Sequence, residues 1–146
     1  MIPKLKNIFP LCIFMTSPNT PFVQKHLLKW FQREQRPLPW RQSYVPYQVW
    51  ISEIMLQQTQ VVTVLPYYKR WMKSLPDIQS VAHTDEEHLL KLWEGLGYYS
   101  RVRNIQKAAK VICEEYGGIF PNDFESILKL PGVGRYTAGC NCKHCL

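Results

Sequence analysis

A carboxylate set into an apolar run marks the most reactive stretch of the chain, where residues 52–61 read SEIMLQQTQV. Taken as a helix entering at Val49, the stretch stacks Trp50 with Ile54 and Ile51 with Met55, so Glu53 lies at the margin of a buried stripe. Burial disfavours the ionised form and raises a carboxyl pKa, which lets a glutamate donate a proton near neutral pH. The plainer alternative is an acid that reaches solvent or pairs with a neighbouring arginine. Gln57, Gln58 and Gln60 break the apolar pattern directly after Leu56, and Thr59 is placed to cap a following helix. A turn presenting amides beside a semi-buried acid suits the reading of base edges; a merely solvated turn is the other possibility.

Three further stretches carry chemistry. Residues 130–139, LPGVGRYTAG, predict a helix, a tight turn and a second helix. Gly132 and Gly134, on either side of Val133, allow backbone conformations and a close approach that a Cβ would forbid. The amides opening the second helix then face outward, ready for a phosphate oxygen. Residues 95–101, GLGYYSR, make a tight aromatic connection in which Ser100 is expected to cap the next helix. Arg36, Trp40 and Arg41 fall on an irregular loop around Pro37 and Pro39; the tryptophan suits stacking on a base or plugging the core from the loop side.

These groups need a scaffold, and 146 residues with 46% hydrophobic content suffice for one core but not for two domains. Lysines and arginines number 18 against 11 acids, a net charge of +7, and the sequence pI is about 9.2, so the simplest partner is a polyanion. Five Trp and eight Tyr among the basic residues favour nucleic acid over a membrane. There is no apolar run of about 18 residues to cross a bilayer as a helix. Five cysteines, three of them in the last seven positions, make no disulfide framework and suit a reducing compartment.

Every strong period is helical, which predicts an all-α fold. Residues 1–21 read as an extension. Lys4 and Lys6 precede an apolar IFPLCIFM as in a signal peptide, but Pro10 interrupts it, no clean cleavage site follows, and Met15 is an alternative start. Helices are expected over 22–35, through the central stretch, and over 61–75 with Pro66 inside. A further helix is expected from a Thr84 and Glu87 capping box to Gly95. The next runs from Ser100 to Gly117 with Arg101, Arg103, Lys107 and Lys110 on its outer side, and a short one starts at Asn122.

Four segments, LPWR at 38–41, PYQVWISEIMLQQTQV at 46–61, LWEGLGYYSRVRN at 92–104 and LPGVGRYTAG at 130–139, together resemble the adenine DNA glycosylases (MutY type) of the helix-hairpin-helix superfamily. The resemblance covers residues 22–139 in order. It implies removal of adenine mispaired with 8-oxoguanine or guanine in double-stranded DNA, from a base flipped out of the duplex, by an intracellular monomer in the cytoplasm, nucleus or mitochondrion. Glu53 matches the family's catalytic glutamate, which protonates the adenine, and Tyr136 a tyrosine near the reacting sugar. Gln58 and Tyr98 match the wedge beside 8-oxoguanine, with Leu56 and Gln57 next to them. Arg36, Trp40 and Arg41 match the adenine-pocket side, and Gly132, Val133 and Gly134 the phosphate-binding hairpin.

The departures follow Gly139. The family continues to a catalytic aspartate, to four cysteines holding a 4Fe-4S cluster, and to a domain that recognises 8-oxoguanine. Here residues 140–146 read CNCKHCL, a set too cramped for a zinc knuckle, so no metal is expected. The expected layout is therefore a partial glycosylase domain over 22–139, cut within the hairpin's second helix, and an aberrant tail over 140–146. The chain is expected to be weakly active or inactive. The alternatives are an endonuclease III-like glycosylase/lyase, which needs a lysine where Tyr136 stands, and a non-catalytic DNA-binding remnant.

Overall fold

The computed structural model describes residues 20–43 and 45–142, and these form helices and short turns with no strand among them. Helix α1 (Thr20–Glu34) leads into a single 3₁₀ turn (Pro39–Arg41). Then follow α2 (Pro46–Leu56), α3 (Val61–Ser74), α4 (Ile78–His83), α5 (Glu86–Trp93), α6 (Ser100–Tyr116), α7 (Phe124–Leu128) and α8 (Arg135–Asn141). The fold is all-α, as the periodicity predicts. The possible signal segment, Cys12 and Met15 lie outside the described residues, as do His144 and Cys145.

The core forms where the apolar stripes of α2 to α8 meet. Trp50, Trp71 and Trp93 are fully buried, and Trp71 meets Trp93 edge-on at 5.7 Å between ring centroids. Aromatic rings of this size dominate burial, but each polar handle inside needs a partner. The Tyr47 hydroxyl supplies one by donating to the Leu75 carbonyl at 2.6 Å while accepting from Trp71 Nε1 at 3.0 Å. Helix α6 packs chiefly on α4, α2 lies against α3 and α8, and α7 pairs with α8 as the hairpin. Helix α1 adds Phe31 to the interior and leaves Phe22 and Trp30 more than half exposed.

Several helix starts differ from the pattern reading. Helix α2 begins at Pro46, three residues before Val49, because a proline in the first turn gives up no intrahelical bond. Asp85, not Thr84, caps α5 by accepting from the His88 amide at 2.7 Å, and Asp123, not Asn122, caps α7 by accepting from the Ser126 amide at 2.9 Å. A carboxylate combines the acceptor with a charge that suits the positive end of the helix. Ser100 is the first residue of α6 and makes no cap, and the Thr59 hydroxyl donates to the Gln57 carbonyl while α3 starts from Gln60. Helix α4 goes beyond the pattern reading; a reciprocal capping box between Asp77 and Ser80 starts it. Helix α8 runs through Asn141 and buries Cys142 behind it, so residues 140–142 belong to the folded unit and not to a separate tail.

The largest correction concerns Arg101. It is buried at 9% exposure, while Arg103, Lys107 and Lys110 are exposed as expected. Its spacing from Ile105, Ala108 and Ile112 puts it on the apolar stripe of α6, and that spacing was the available signal.

Candidate functional site

Glu53 sits on α2 in the margin foreseen for it, half-buried between Ser52 and Ile54, both of which are buried. Burial pushes its carboxyl above the ordinary 4.5, and the Cys140 thiol and the Arg41 guanidinium partly offset that rise. Cys140 comes from the last turn of α8 and lies one turn after Tyr136, on the same helix face. The three side chains are electrostatically coupled: the Cys140 thiol lowers the Glu53 carboxyl, Glu53 raises the thiol, and the Tyr136 hydroxyl lowers it. Burial and then the Glu53 charge push the thiol up to about 11, and the Glu53 and Cys140 charges push the tyrosine up to about 12. Both keep their protons at neutral pH, so Glu53 is the member of the cluster poised to exchange one.

Arg41 closes the side of this cluster from the 3₁₀ turn, its guanidinium 5.4 Å from the Phe31 ring centroid. Trp40, for which two placements were open, plugs the core at 4% exposure and meets Tyr68 edge-on at 4.9 Å. Arg36 is exposed, and its charge is not among those acting on Glu53. Cys140 was missed as a site residue, because its position matters only once α8 is folded against α2.

A second group gathers beyond the C-terminal end of α2. Gln57 and Gln58 are exposed and Leu56 is half-buried against the core. Gln58 has φ +57 and Tyr98, 64% exposed, has φ +50; both are in the left-handed region, which is costly for a side chain and persists where surrounding structure enforces it. Arg101 touches the backbone before both, with Nη1 donating to the carbonyls of Ile54, Met55 and Gln57 and Nη2 to those of Leu96 and Gly97.

The hairpin lies beside this group. The Val133 amide donates to the Leu130 carbonyl at 3.1 Å around Pro131 and Gly132, with Gly132 at φ +75, the signature of a type II turn. A Cβ on Gly132 would lie 2.7 Å from Asn104 Cβ on α6, so both conformation and space demand glycine. Gly134 precedes α8 with φ −90 and nothing within 4 Å of where its Cβ would be, so nothing inside the protein requires glycine there. Val133 is buried at 8% exposure.

The three described cysteines lie apart from one another. Cys113 lies on α6, Cys140 is engaged with Glu53, and the buried Cys142 Sγ is 3.7 Å from the Asn122 carbonyl oxygen. Among the described residues no three potential ligands converge on one point. No helix there is long and apolar enough to cross a membrane.

Comparison with known proteins places this arrangement. Residues 51–139 match the HhH-GPD superfamily base excision DNA repair protein family. The chain is 49% identical over 114 residues to an adenine DNA glycosylase of Buchnera aphidicola, covering 77% of this chain and 32% of that protein. It is 44% identical over 141 residues to the rat adenine DNA glycosylase, covering 90% and 27%, and 48% identical over 122 residues to the human one, covering 77% and 22%. The chain thus spans a third or less of the length of these relatives. Among solved structures it resembles a thermostable thymine-DNA glycosylase (TM-score 0.77, 27% identity, 83% of this chain and 56% of that one). It also resembles endonuclease III in a non-covalent DNA complex (TM-score 0.68, 26% identity, 82% and 55%). With the family match spanning more than half of its residues and the helical fold shared with DNA glycosylases of known structure, the chain belongs to the HhH-GPD superfamily of base excision DNA repair proteins.

Proposed function

We propose that the chain carries the acid half of an adenine-specific DNA N-glycosylase that acts on adenine opposite 8-oxoguanine or guanine. The observation that carries this reading is Glu53, a carboxyl raised by burial and set beside Tyr136 and Arg41. Glycosidic cleavage passes through an oxocarbenium-like state and is accelerated when an acid protonates the leaving group. In this reading the Glu53 carboxyl gives its proton to a ring nitrogen of the flipped adenine, the bond to the sugar breaks with its electron pair going to the base, and water completes the hydrolysis. Tyr136, exposed and neutral, faces the sugar. Gln58 and Tyr98 fill the gap in the stack, and the backbone at Gly132 and Gly134 holds phosphate.

A lyase of the endonuclease III kind requires an amine nucleophile. The residue beside Glu53 at that position is Tyr136, and the neighbouring cation, Arg41, does not deprotonate to become one. The names of the relatives favour adenine as the base, and the shared fold alone does not choose between substrates.

The test is base release under protein excess from duplexes containing A·8-oxoguanine, A·G, A·T and oxidised pyrimidines. Slow release of free adenine, confined to the first two, is expected. Release of a pyrimidine, or trapping of a covalent imine by borohydride, would move the chain to the lyase class. Duplex binding with no adenine release on any substrate would leave it a DNA-binding remnant.

A further inference from the structure

We propose that Arg101 is a positioning residue that locks the two loops carrying Gln58 and Tyr98 into a single rigid unit, so that the two side chains enter a duplex together. The inference deepens the glycosylase reading, on which its DNA-binding consequence rests; the lock itself does not.

The geometry is unusual for an arginine. Its guanidinium is buried, and no carboxylate is among its partners. Its hydrogen bonds go to backbone carbonyls on both sides. Nη1 meets Ile54 at 2.9 Å, Met55 at 3.2 Å and Gln57 at 2.7 Å, and Nη2 meets Leu96 and Gly97 at 3.2 Å each. The first three lie at the negative end of α2, where the Ile54 carbonyl also accepts from the Gln57 amide, and the other two belong to the turn that leaves α5, where the Gly97 carbonyl also accepts from Trp93 Nε1. The charge is thus compensated by one helix end and one turn and not by an acid. The guanidinium also lies over the Trp93 ring at 5.2 Å and the Tyr98 ring at 5.6 Å, so the Tyr98 ring itself is held on the same plane of charge. One planar group therefore fixes the backbone before Gln58 and the backbone before Tyr98, the two residues with side chains that adopt positive φ among the described residues. Lysine offers a single point of donors on a flexible stem and cannot reach both carbonyl sets at once.

Hydrogen exchange on the unmodified chain decides the lock. Amides of residues 57–60 and 96–99 are expected to open with one shared equilibrium and one shared response to denaturant, distinct from the amides of α4 and α6. Arg101→Lys is expected to raise exchange in both loops by about tenfold or more, as loss of hydrogen bonds to a charged group implies, while the core amides stay protected. Independent opening of the loops in the unmodified chain, or acceleration of one loop alone, overturns the proposal. Should Arg101→Lys unfold the chain, the exchange pattern of the unmodified chain still decides.

The DNA arm uses 2-aminopurine next to the mispair as a reporter of unstacking. Gln58→Ala and Tyr98→Ala are expected to be non-additive, each alone removing most of the signal, and to become additive in Arg101→Lys. A purely structural arginine would not change that coupling, so additivity in the unmodified background refutes joint entry. Shared loop opening without any 2-aminopurine signal would leave the lock standing and count against the glycosylase reading.

Discussion

The acid cluster and the pair of loops beside it are built on opposite principles. Around Glu53 the contacts are made by side chains from three separate elements, α2, α8 and the 3₁₀ turn, and the working quantity is the proton affinity raised by burial. Around Arg101 the contacts are made by backbone, and the working quantity is conformation, with Gln58 and Tyr98 held at positive φ. The hairpin belongs with the second kind, since Gly132 holds a positive φ and a close approach to Asn104 that a side chain would forbid. In the proposed function, chemistry would be tuned by environment and DNA geometry by the main chain. Substitutions should separate the two.

The largest expected effect tests the cluster. Glu53→Gln keeps shape and removes the acid, so adenine release should fall by roughly 10²-fold or more, the usual contribution of a general acid. In the unmodified chain the rate should fall as pH rises through the raised Glu53 pKa, because only the protonated carboxyl donates. Duplex affinity should be unchanged by Glu53→Gln. A release rate indifferent to this change removes Glu53 from its role.

The next effect tests the hairpin. Duplex affinity should drop about tenfold or more between 50 and 200 mM salt if phosphates are the main contacts. Gly134→Val should weaken binding about equally on matched and mismatched duplexes with only a small drop in thermal midpoint, since a Cβ there meets no protein atom within 4 Å and the cost is that of a poorer N-cap. A salt-insensitive preference for the mispair would locate recognition in side chains instead.

Gly132→Ala is the complementary change. Its positive φ and the Asn104 contact predict a loss of about 1–2 kcal/mol of stability, readable by denaturant titration. An unchanged denaturation midpoint would mean the turn relaxes.

The smallest effect returns to Glu53. Its folded pKa lies above its unfolded value, so the native state binds the proton more tightly. The stability it contributes is complete below 4.5 and is lost as pH rises through the folded pKa. Glu53→Gln should therefore raise the thermal midpoint slightly at pH 7, and the gain should vanish below pH 4.5. A lower midpoint at pH 7 would show that the carboxylate is stabilised by Arg41 and Cys140 more than it is penalised by burial.

Much of this was legible in the residues themselves. Period-3.6 spacing of Trp50, Ile51, Ile54 and Met55 determined that α2 buries that face and leaves Glu53 at its edge, because periodicity is a local property of the chain. Pro131 and Gly132 likewise determined the turn before α8, since the proline fixes its own φ and the glycine admits the positive φ of the next position without reference to anything distant. Helix starts came out one residue off at Asp85 and Asp123, where several adjacent residues can cap and only the folded geometry selects the acceptor. The coupling of Cys140 with Glu53 joins positions 87 residues apart, from 140 minus 53, and the burial of Arg101 depends on carbonyls supplied by the end of α2 and the turn after α5. Neither follows from neighbours in sequence. A charged group can be buried only where distant backbone is left unpaired to receive it, and that is decided when the helices pack.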